Sequence, residues 1–135
     1  MWIKRVAGMV VGVVVTFSAV MAGEYLLHLV FPMPNLDLTN PEAVKAAMAA
    51  APLGAKLGLA IVYGTAAFLG TFIATWIAGW RWSGWVPMGL LLAATIANFM
   101  MLPHAIWLVV LSLVLIVLEG WTGVRLGMAQ AIKRG

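Results

Sequence analysis

Long apolar stretches separated by short polar or proline-containing segments are the dominant pattern of this sequence. Four such stretches occur, as expected for helices that cross a hydrocarbon core roughly 30 Å thick. They predict membrane-spanning helices at about 6–31, 53–79, 87–102 and 105–124. Apolar residues fill all faces of these segments and neither alternate nor follow a narrow stripe, so lipid or neighbouring helices must surround them.

A short additional helix is predicted between the first two spans. Pro32 and Pro34 end the first helix, because a proline inside a helix lacks the amide donor and clashes with the preceding turn. Asn40 is a favourable N-cap, and the proline that follows it fits the first helical position. The helix at about 41–51 is too short and too polar to span, so we expect it at the membrane surface. The expected fold is all-α: one transmembrane domain over 1–135, a four-helix antiparallel bundle with a short interfacial helix between helices one and two.

Composition and charge support the membrane assignment and orient the chain. Apolar residues make up 64% and charged residues 9%, against roughly a quarter charged in a soluble domain. The net charge is +4, and the predicted topology places most of the basic residues on one side, which the positive-inside rule makes cytoplasmic. We therefore expect a multi-pass protein of the bacterial inner (plasma) membrane with both termini in the cytoplasm, whose partner is the lipid bilayer and not a nucleic acid. The residues on that side are Lys4, Arg5, Arg81, Arg125, Lys133 and Arg134.

The first apolar stretch also resembles a cleavable secretory leader. Lys4 and Arg5 precede it, and the small residue Ala22 follows at a plausible cleavage distance. The apolar run continues past that point to Phe31, so we expect it to be retained as the first spanning helix.

Small residues at four-residue spacing indicate close helix packing. Gly8 and Gly12 form a GxxxG pair in the first helix, Gly54 and Gly58 form another in the second, and Gly70 belongs to a longer small-residue row. Such rows let two helix backbones approach closely. The pattern leaves open whether the partner helix lies in the same chain or in a second copy.

A few polar residues interrupt the apolar helices and form the candidate site. Glu24 and His28 are four residues apart and share one helix face. His28 and His104 are expected near the outer membrane surface, with Glu24 about 6 Å and Asn98 about 9 Å deeper along their helices. Because ionisable groups inside a membrane are costly, we expect these four residues to form one outer-side polar cluster.

Several roles are open for this cluster. The residues could simply satisfy one another and hold the outer helix ends together. Glu24 could titrate beside His28 in a hydrated vestibule or a proton-linked permeation site. His28, His104 and Glu24 could ligate zinc or another divalent ion, and the two histidines could hold haem.

Glu119 is the other acid within a predicted span. It is predicted near the inner end of helix four, where Arg81 or Arg125 could reach it, so we expect an inner-side ion pair. The tail after residue 124 is expected to continue as a helix along the inner surface.

The sequence carries no recognisable catalytic set. It lacks a nucleophile beside a base, a phosphate-binding glycine loop and an HExxH motif. It also has no cysteine, which excludes disulfides, thiolate metal sites, iron–sulfur ligation and covalent haem attachment. We therefore expect a protein that is not an enzyme and that needs no cofactor.

The order of these polar and proline positions resembles a known group of proteins. The shared pattern is Glu24-x3-His28 with Phe31-Pro32-x-Pro34, then Met48 before Pro52-Leu53-Gly54-Ala55, and Ile96-Ala97-Asn98 with Pro103-His104-x2-Trp107. It is similar to that of small uncharacterised bacterial four-helix integral membrane proteins over nearly the whole chain. The chain departs from the group at Phe31, where a tyrosine is common, and at Ala105, where a second proline often follows the histidine. The resemblance implies a four-helix fold and topology and no particular activity.

Taken together, the sequence favours a non-enzymatic accessory subunit or self-associating scaffold. A homo-oligomer or a larger membrane complex is the expected assembly, because the small-residue rows favour helix association. A permeation or proton-linked transport element is one alternative, and a metal- or haem-binding membrane protein is another.

Overall fold

The computed structural model describes residues 1–32, 39–101 and 105–134. These residues form five helices and no strand: α1 (Trp2–Val30), α2 (Pro41–Ala50), α3 (Leu53–Ala78), α4 (Trp82–Met101) and α5 (Ile106–Arg134). All except α2 are long and apolar enough to cross a membrane. The prediction of an all-helical chain with four membrane-length helices is thereby confirmed. The predicted helix break at Pro34, the turn at Pro103 and the end of the third span at 102 lie outside the described residues.

Local sequence explains where the described helices begin and end. The Asn40 side chain caps α2 by accepting hydrogen bonds from the backbone N–H groups of Glu42 and Ala43, at 3.1 and 3.3 Å. Pro41 occupies the first helical position, where its missing N–H costs no helical hydrogen bond. At the C-terminal end of α3, Gly79 adopts φ +61°, and its N–H donates a hydrogen bond to the Thr75 carbonyl. A left-handed glycine is the usual way to end a helix.

Two predicted boundaries differ from the structure. α4 begins at Trp82 and includes Pro87, where the sequence predicted that the third span would start. Near a helix start the missing proline N–H removes one hydrogen bond, and the helix tolerates that loss. α5 continues unbroken to Arg134, so the tail belongs to the fourth long helix and packs through Gly127 against Phe72 of α3.

Contacts between α1 and α3 run in opposite order along the two helices. The two helices approach so closely that a Cβ added to Gly8 would lie 2.5 Å from the Ala74 carbonyl oxygen. A Cβ added to Gly12 would lie 2.8 Å from the Gly70 carbonyl oxygen. These contacts place the start of α1 beside the end of α3. Further contacts follow the same order: Thr16 with Gly70, Gly23 with Val62, Leu27 with Gly58, and Phe31, directly after α1, with Gly54.

Contacts between α3 and α5 run in the same order along both helices. Gly64 lies beside Leu115 and Glu119, and Gly123 lies against Phe68 and Thr71. α3 is therefore packed by α1 on one side and by α5 on another. Four of the five predicted packing glycines face another helix of this same chain, and the fifth, Gly54, faces the Phe31 ring directly after α1. The four are Gly8, Gly12, Gly58 and Gly70.

These contacts define two ends of the structure. The basic end carries Trp2, Ala78, Trp82 and Arg134, and the α2 end carries Val30, Leu53, Met101 and Ile106. At the basic end, Arg134 joins the last residues of α5 to those of α3, because its Nη2 donates a 2.9 Å hydrogen bond to the Trp76 carbonyl.

Candidate functional site

A single tyrosine hydroxyl connects three of the long helices. Tyr63 of α3 is only 4% exposed. Its hydroxyl donates a 3.2 Å hydrogen bond to Oε1 of Glu24 on α1, and it accepts a 3.4 Å hydrogen bond from Nδ2 of Asn98 on α4. A phenol can donate one hydrogen bond and accept others, and a buried one needs such partners. The hydroxyl thus holds an acid and an amide together.

Apolar packing fixes the position of this hydroxyl. The Tyr63 ring packs edge-on against Phe99, with the ring centroids 6.4 Å apart and the planes at 81°. That geometry is favourable for two aromatic rings. The residues that form the buried core around it are Ala66, Ala67, Met88, Leu91 and Ile116.

The structure brings part of the predicted polar cluster together. Glu24 and Asn98 bind the same hydroxyl, and sequence reasoning missed the residue that joins them. The available signal was Tyr63 itself, one of two tyrosines, placed in the middle of an apolar span where its hydroxyl requires a partner. His28 lies one turn from Glu24 towards the α2 end and is exposed. His104 lies outside the described residues, and its place in the cluster stays a prediction.

A groove of about 850 Å³ opens at the α2 end beside this network. We call it the α2 groove, because residues of α2 and of the segment after it line one side, and α1, α3 and the start of α5 line the rest. Most of its wall is apolar, including Leu27, Phe31, Met48, Leu59 and Leu108. Its ionisable lining groups are Glu24, His28, Lys45 and Lys56.

The ionisable groups of the α2 groove retain unused hydrogen-bonding capacity. The Lys56 Nζ donates to the Ala49 carbonyl at 3.5 Å, which ties the end of α2 to α3. An ammonium carries three donors, so two remain. Glu24 receives the hydrogen bond from Tyr63, and a carboxylate can accept several more. The groove therefore combines apolar walls with two ammonium groups, an imidazole and a carboxylate.

The second predicted pair, Glu119 with Arg81, is not brought together. Glu119 lies against Gly64, with its Cγ 3.3 Å from the position of a Cβ there. Arg81 lies beyond the end of α3, and the helix rises about 21 Å between Gly64 and Ala78. The difference arises because the register of α5 against α3 places Glu119 beside Gly64, near the middle of both helices.

Arg81 instead lies in a second groove, of about 410 Å³, at the basic end. We call it the arginine groove. Arg81, Trp85, Trp121 and Arg125 supply its polar and aromatic lining, and the rest is apolar.

Within residues 1–32, 39–101 and 105–134, no group of three or more His, Cys, Asp or Glu side chains could hold a metal ion. Because His104 is outside these ranges, the metal site with His28, His104 and Glu24 and the haem site with both histidines stay predictions.

Comparison with known proteins adds no family or relative. No family model matches the chain, and neither the curated proteins nor the solved structures contain a significant match.

Proposed function

We propose that this chain is a multi-pass protein of the bacterial inner membrane, built as an antiparallel four-helix bundle with both termini in the cytoplasm. The four membrane-length helices support the membrane placement. The opposite order of the α1 and α3 contacts supports the antiparallel arrangement. The basic residues gathered at the basic end support a cytoplasmic position for that end. In this arrangement α2 lies at the outer surface, and the chain is of the same kind as the small bacterial four-helix proteins that it resembles.

We propose further that the protein acts by binding, without catalysis, a single-chain amphiphile with an anionic head group in the α2 groove. One observation carries this proposal: an apolar groove of about 850 Å³ has two lysines on its wall. Ligand sites typically have volumes of about 300–1,000 Å³ and mostly apolar linings with a few polar groups. The apolar walls suit an acyl chain, and Lys45 and Lys56 suit a phosphate or carboxylate at the membrane surface.

The expected scaffold or accessory role has weaker support than groove binding. It rested on small-residue rows, and those rows are occupied by helices of the same chain. A homo-oligomer or larger complex remains a prediction, and it would need a different surface.

A proton-linked permeation role is also less well supported. The Glu24–Tyr63–Asn98 network begins at the α2 groove. Towards the basic end it meets a core of Ala66, Ala67 and other apolar residues. Among the described residues, the buried hydroxyls on that side, such as that of Thr95, form no hydrogen bond that extends the network.

Charge removal at the α2 groove is the direct test of the proposal. In detergent-solubilised protein we expect dodecyl phosphate to bind more tightly than dodecanol, which has the same chain and no charge. The double variant Lys45→Gln, Lys56→Gln should lower dodecyl phosphate affinity by about tenfold, because charge-assisted hydrogen bonds are lost at a partly solvated site. Native mass spectrometry of titrated samples measures both ligands.

The matched control removes two lysines from the basic end, with Lys4→Gln and Lys133→Gln. This variant has the same net charge as the groove variant and should bind within twofold of the parent. Equal losses in the two double variants, or equal binding of the phosphate and the alcohol, would show that the groove lysines do not select the ligand.

Glu24→Gln should have the opposite effect to the lysine changes. The amide keeps an acceptor for Tyr63 and removes a negative charge from the wall of the α2 groove. We expect dodecyl phosphate affinity to rise by about two- to fivefold, since repulsion between like charges is relieved. The same titration by native mass spectrometry applies, and a fall in affinity would argue that Glu24 binds the ligand directly.

A further inference from the structure

The arginine groove at the basic end contains two cations without a counter-charge. Its lining residues are Arg81, Trp85, Trp121, Arg125 and apolar side chains of α5, with no acidic residue among them. Of the four acidic residues in the sequence, Glu24 lies at the other groove and Glu119 lies against Gly64. The positive charge of this groove is therefore not neutralised by the helices that form it.

The guanidinium of Arg125 is held in place but keeps its donors free. It stacks over the Trp121 ring, with Cζ 4.8 Å from the ring centroid. Such cation–π stacking orients the guanidinium plane and uses none of its N–H groups. In the described part of the chain, neither Arg81 nor Arg125 donates a hydrogen bond to a protein acceptor. Each guanidinium has five donors.

Two other arginines at the basic end provide a comparison. Arg5 stacks over Trp80, at 4.5 Å, and Arg134 stacks over Trp76, at 5.5 Å. Arg134 uses its Nη2 to bind the Trp76 and Ile77 carbonyls at the end of α3, which is a structural role. Neither Arg5 nor Arg134 lines the arginine groove. Arg81 and Arg125 together bring two guanidinium groups to one groove of the described structure.

We propose that the arginine groove binds the phosphate of an anionic phospholipid from the inner leaflet. Arginine forks match the oxygens of a phosphate, and two of them facing one groove favour an anion over a zwitterion. Trp85 and Trp121 are both exposed beside them, as tryptophans at head-group depth commonly are. Basic pockets between spanning helices on the cytoplasmic side are typical sites for such lipids. The proposal rests on the proposed membrane orientation and is independent of the ligand of the α2 groove.

The test compares two lipids with identical acyl chains, phosphatidylglycerol and phosphatidylcholine, by native mass spectrometry of the full chain. We expect the parent protein to retain phosphatidylglycerol in preference. The double variant Arg81→Gln, Arg125→Gln should lower phosphatidylglycerol retention by about tenfold, since both guanidinium forks are removed. The matched control, Lys4→Gln with Arg5→Gln, removes two charges at the same end and should stay within twofold of the parent.

Further measurements distinguish a specific lipid-phosphate site from a general effect of positive charge and from a site for a soluble anion. Arg125→Lys keeps the charge and loses the fork, so it should reduce retention by about threefold. If Arg125 variants fail to fold, Arg81→Gln alone gives the same readout, because Arg81 is exposed in the turn before α4. An equal loss in the control variant, or a parent that does not distinguish the two lipids, would overturn the proposal. Displacement of the lipid by millimolar inorganic phosphate would assign the groove to a soluble anion instead.

Since the two grooves lie at opposite ends of the structure, failure of the α2 groove proposal can be distinguished from failure of the arginine groove proposal. Loss of lipid preference in the Arg81 and Arg125 variant with unchanged dodecyl phosphate binding would support two separate sites. Lipid preference that depends on Lys45 and Lys56 would overturn the proposal for the arginine groove.

Discussion

Gly70→Leu is expected to separate α1 from α3 and to lower the free energy of unfolding by about 3 kcal/mol or more. A Cβ at Gly70 would overlap the Thr16 hydroxyl and lie 2.9 Å from the Gly12 carbonyl oxygen. Thr16 is fully buried, and its hydroxyl is bound to that same carbonyl at 2.8 Å, so it cannot turn away at low cost. The larger leucine side chain adds to the overlap. Helix content followed by circular dichroism during unfolding in mixed detergent micelles measures the change.

Gly89→Leu is the matched control, because it makes the same substitution in a membrane-length helix. A Cβ at Gly89 has no atom within 4 Å, so we expect stability to be unchanged or slightly higher. Adding Thr16→Ala to Gly70→Leu should restore part of the lost free energy of unfolding, since it removes the hydroxyl that the leucine side chain overlaps. Equal stability of Gly70→Leu and Gly89→Leu would show that α1 does not approach α3 at this point.

The helical class and the four spans followed from the sequence because lipid leaves few alternatives. A backbone surrounded by hydrocarbon must satisfy its own hydrogen bonds, and long apolar segments do so as helices. The same pattern is weak at helix ends. Pro87 favours a helix start, yet α4 begins at Trp82, because one missing hydrogen bond in the second turn does not outweigh the others.

The placement of Glu119 shows how an end-of-helix error changes a functional prediction. The polar residues after Val124 suggested that the span ended there and that Glu119 lay near the inner surface. The tail is helical, but it continues α5 directly to Arg134, and Gly123 and Gly127 let this helix pack closely against α3 past the apolar stretch. A glycine row that extends into a polar segment was the available signal. The arginines expected to pair with Glu119 lie at the arginine groove instead.

The sequence could predict the level of the candidate site along the helices, but not all of the residues that form it. Helical rise places Glu24 and Asn98 at similar levels, and the structure joins them through one hydroxyl. Which third residue joins them depends on how α3 is rotated, and apolar periodicity does not fix that rotation when all faces are apolar. The α2 groove likewise depends on how α2 is placed relative to the start of α3. That placement is set by contacts such as the Lys56 hydrogen bond to the Ala49 carbonyl.

Tyr63→Ala is expected to lower the free energy of unfolding by about 3–5 kcal/mol, the range for removing a large buried aromatic side chain. Tyr63 is 4% exposed, packs against Phe99 and supplies the hydroxyl that joins Glu24 to Asn98. Tyr63→Phe separates the two contributions, because it keeps the ring and removes only the hydroxyl. Interhelical hydrogen bonds in membranes average about 0.6 kcal/mol, so the loss of two should cost about 1 kcal/mol. Unfolding in mixed micelles measures both variants.

The only other tyrosine provides the control for these substitutions. Tyr25 is 65% exposed, one residue after Glu24 on α1, so Tyr25→Ala and Tyr25→Phe should each change stability by less than about 0.5 kcal/mol. If the hydroxyl joins the three helices, Tyr63→Phe should also make Asn98→Ala less costly than it is in the parent, because the amide has already lost its partner. Additive losses would mean that Asn98 is held by other groups. A Tyr63→Ala variant as stable as Tyr25→Ala would place the Tyr63 ring outside the packed interior, and the three-helix connection at the α2 groove would have to be abandoned.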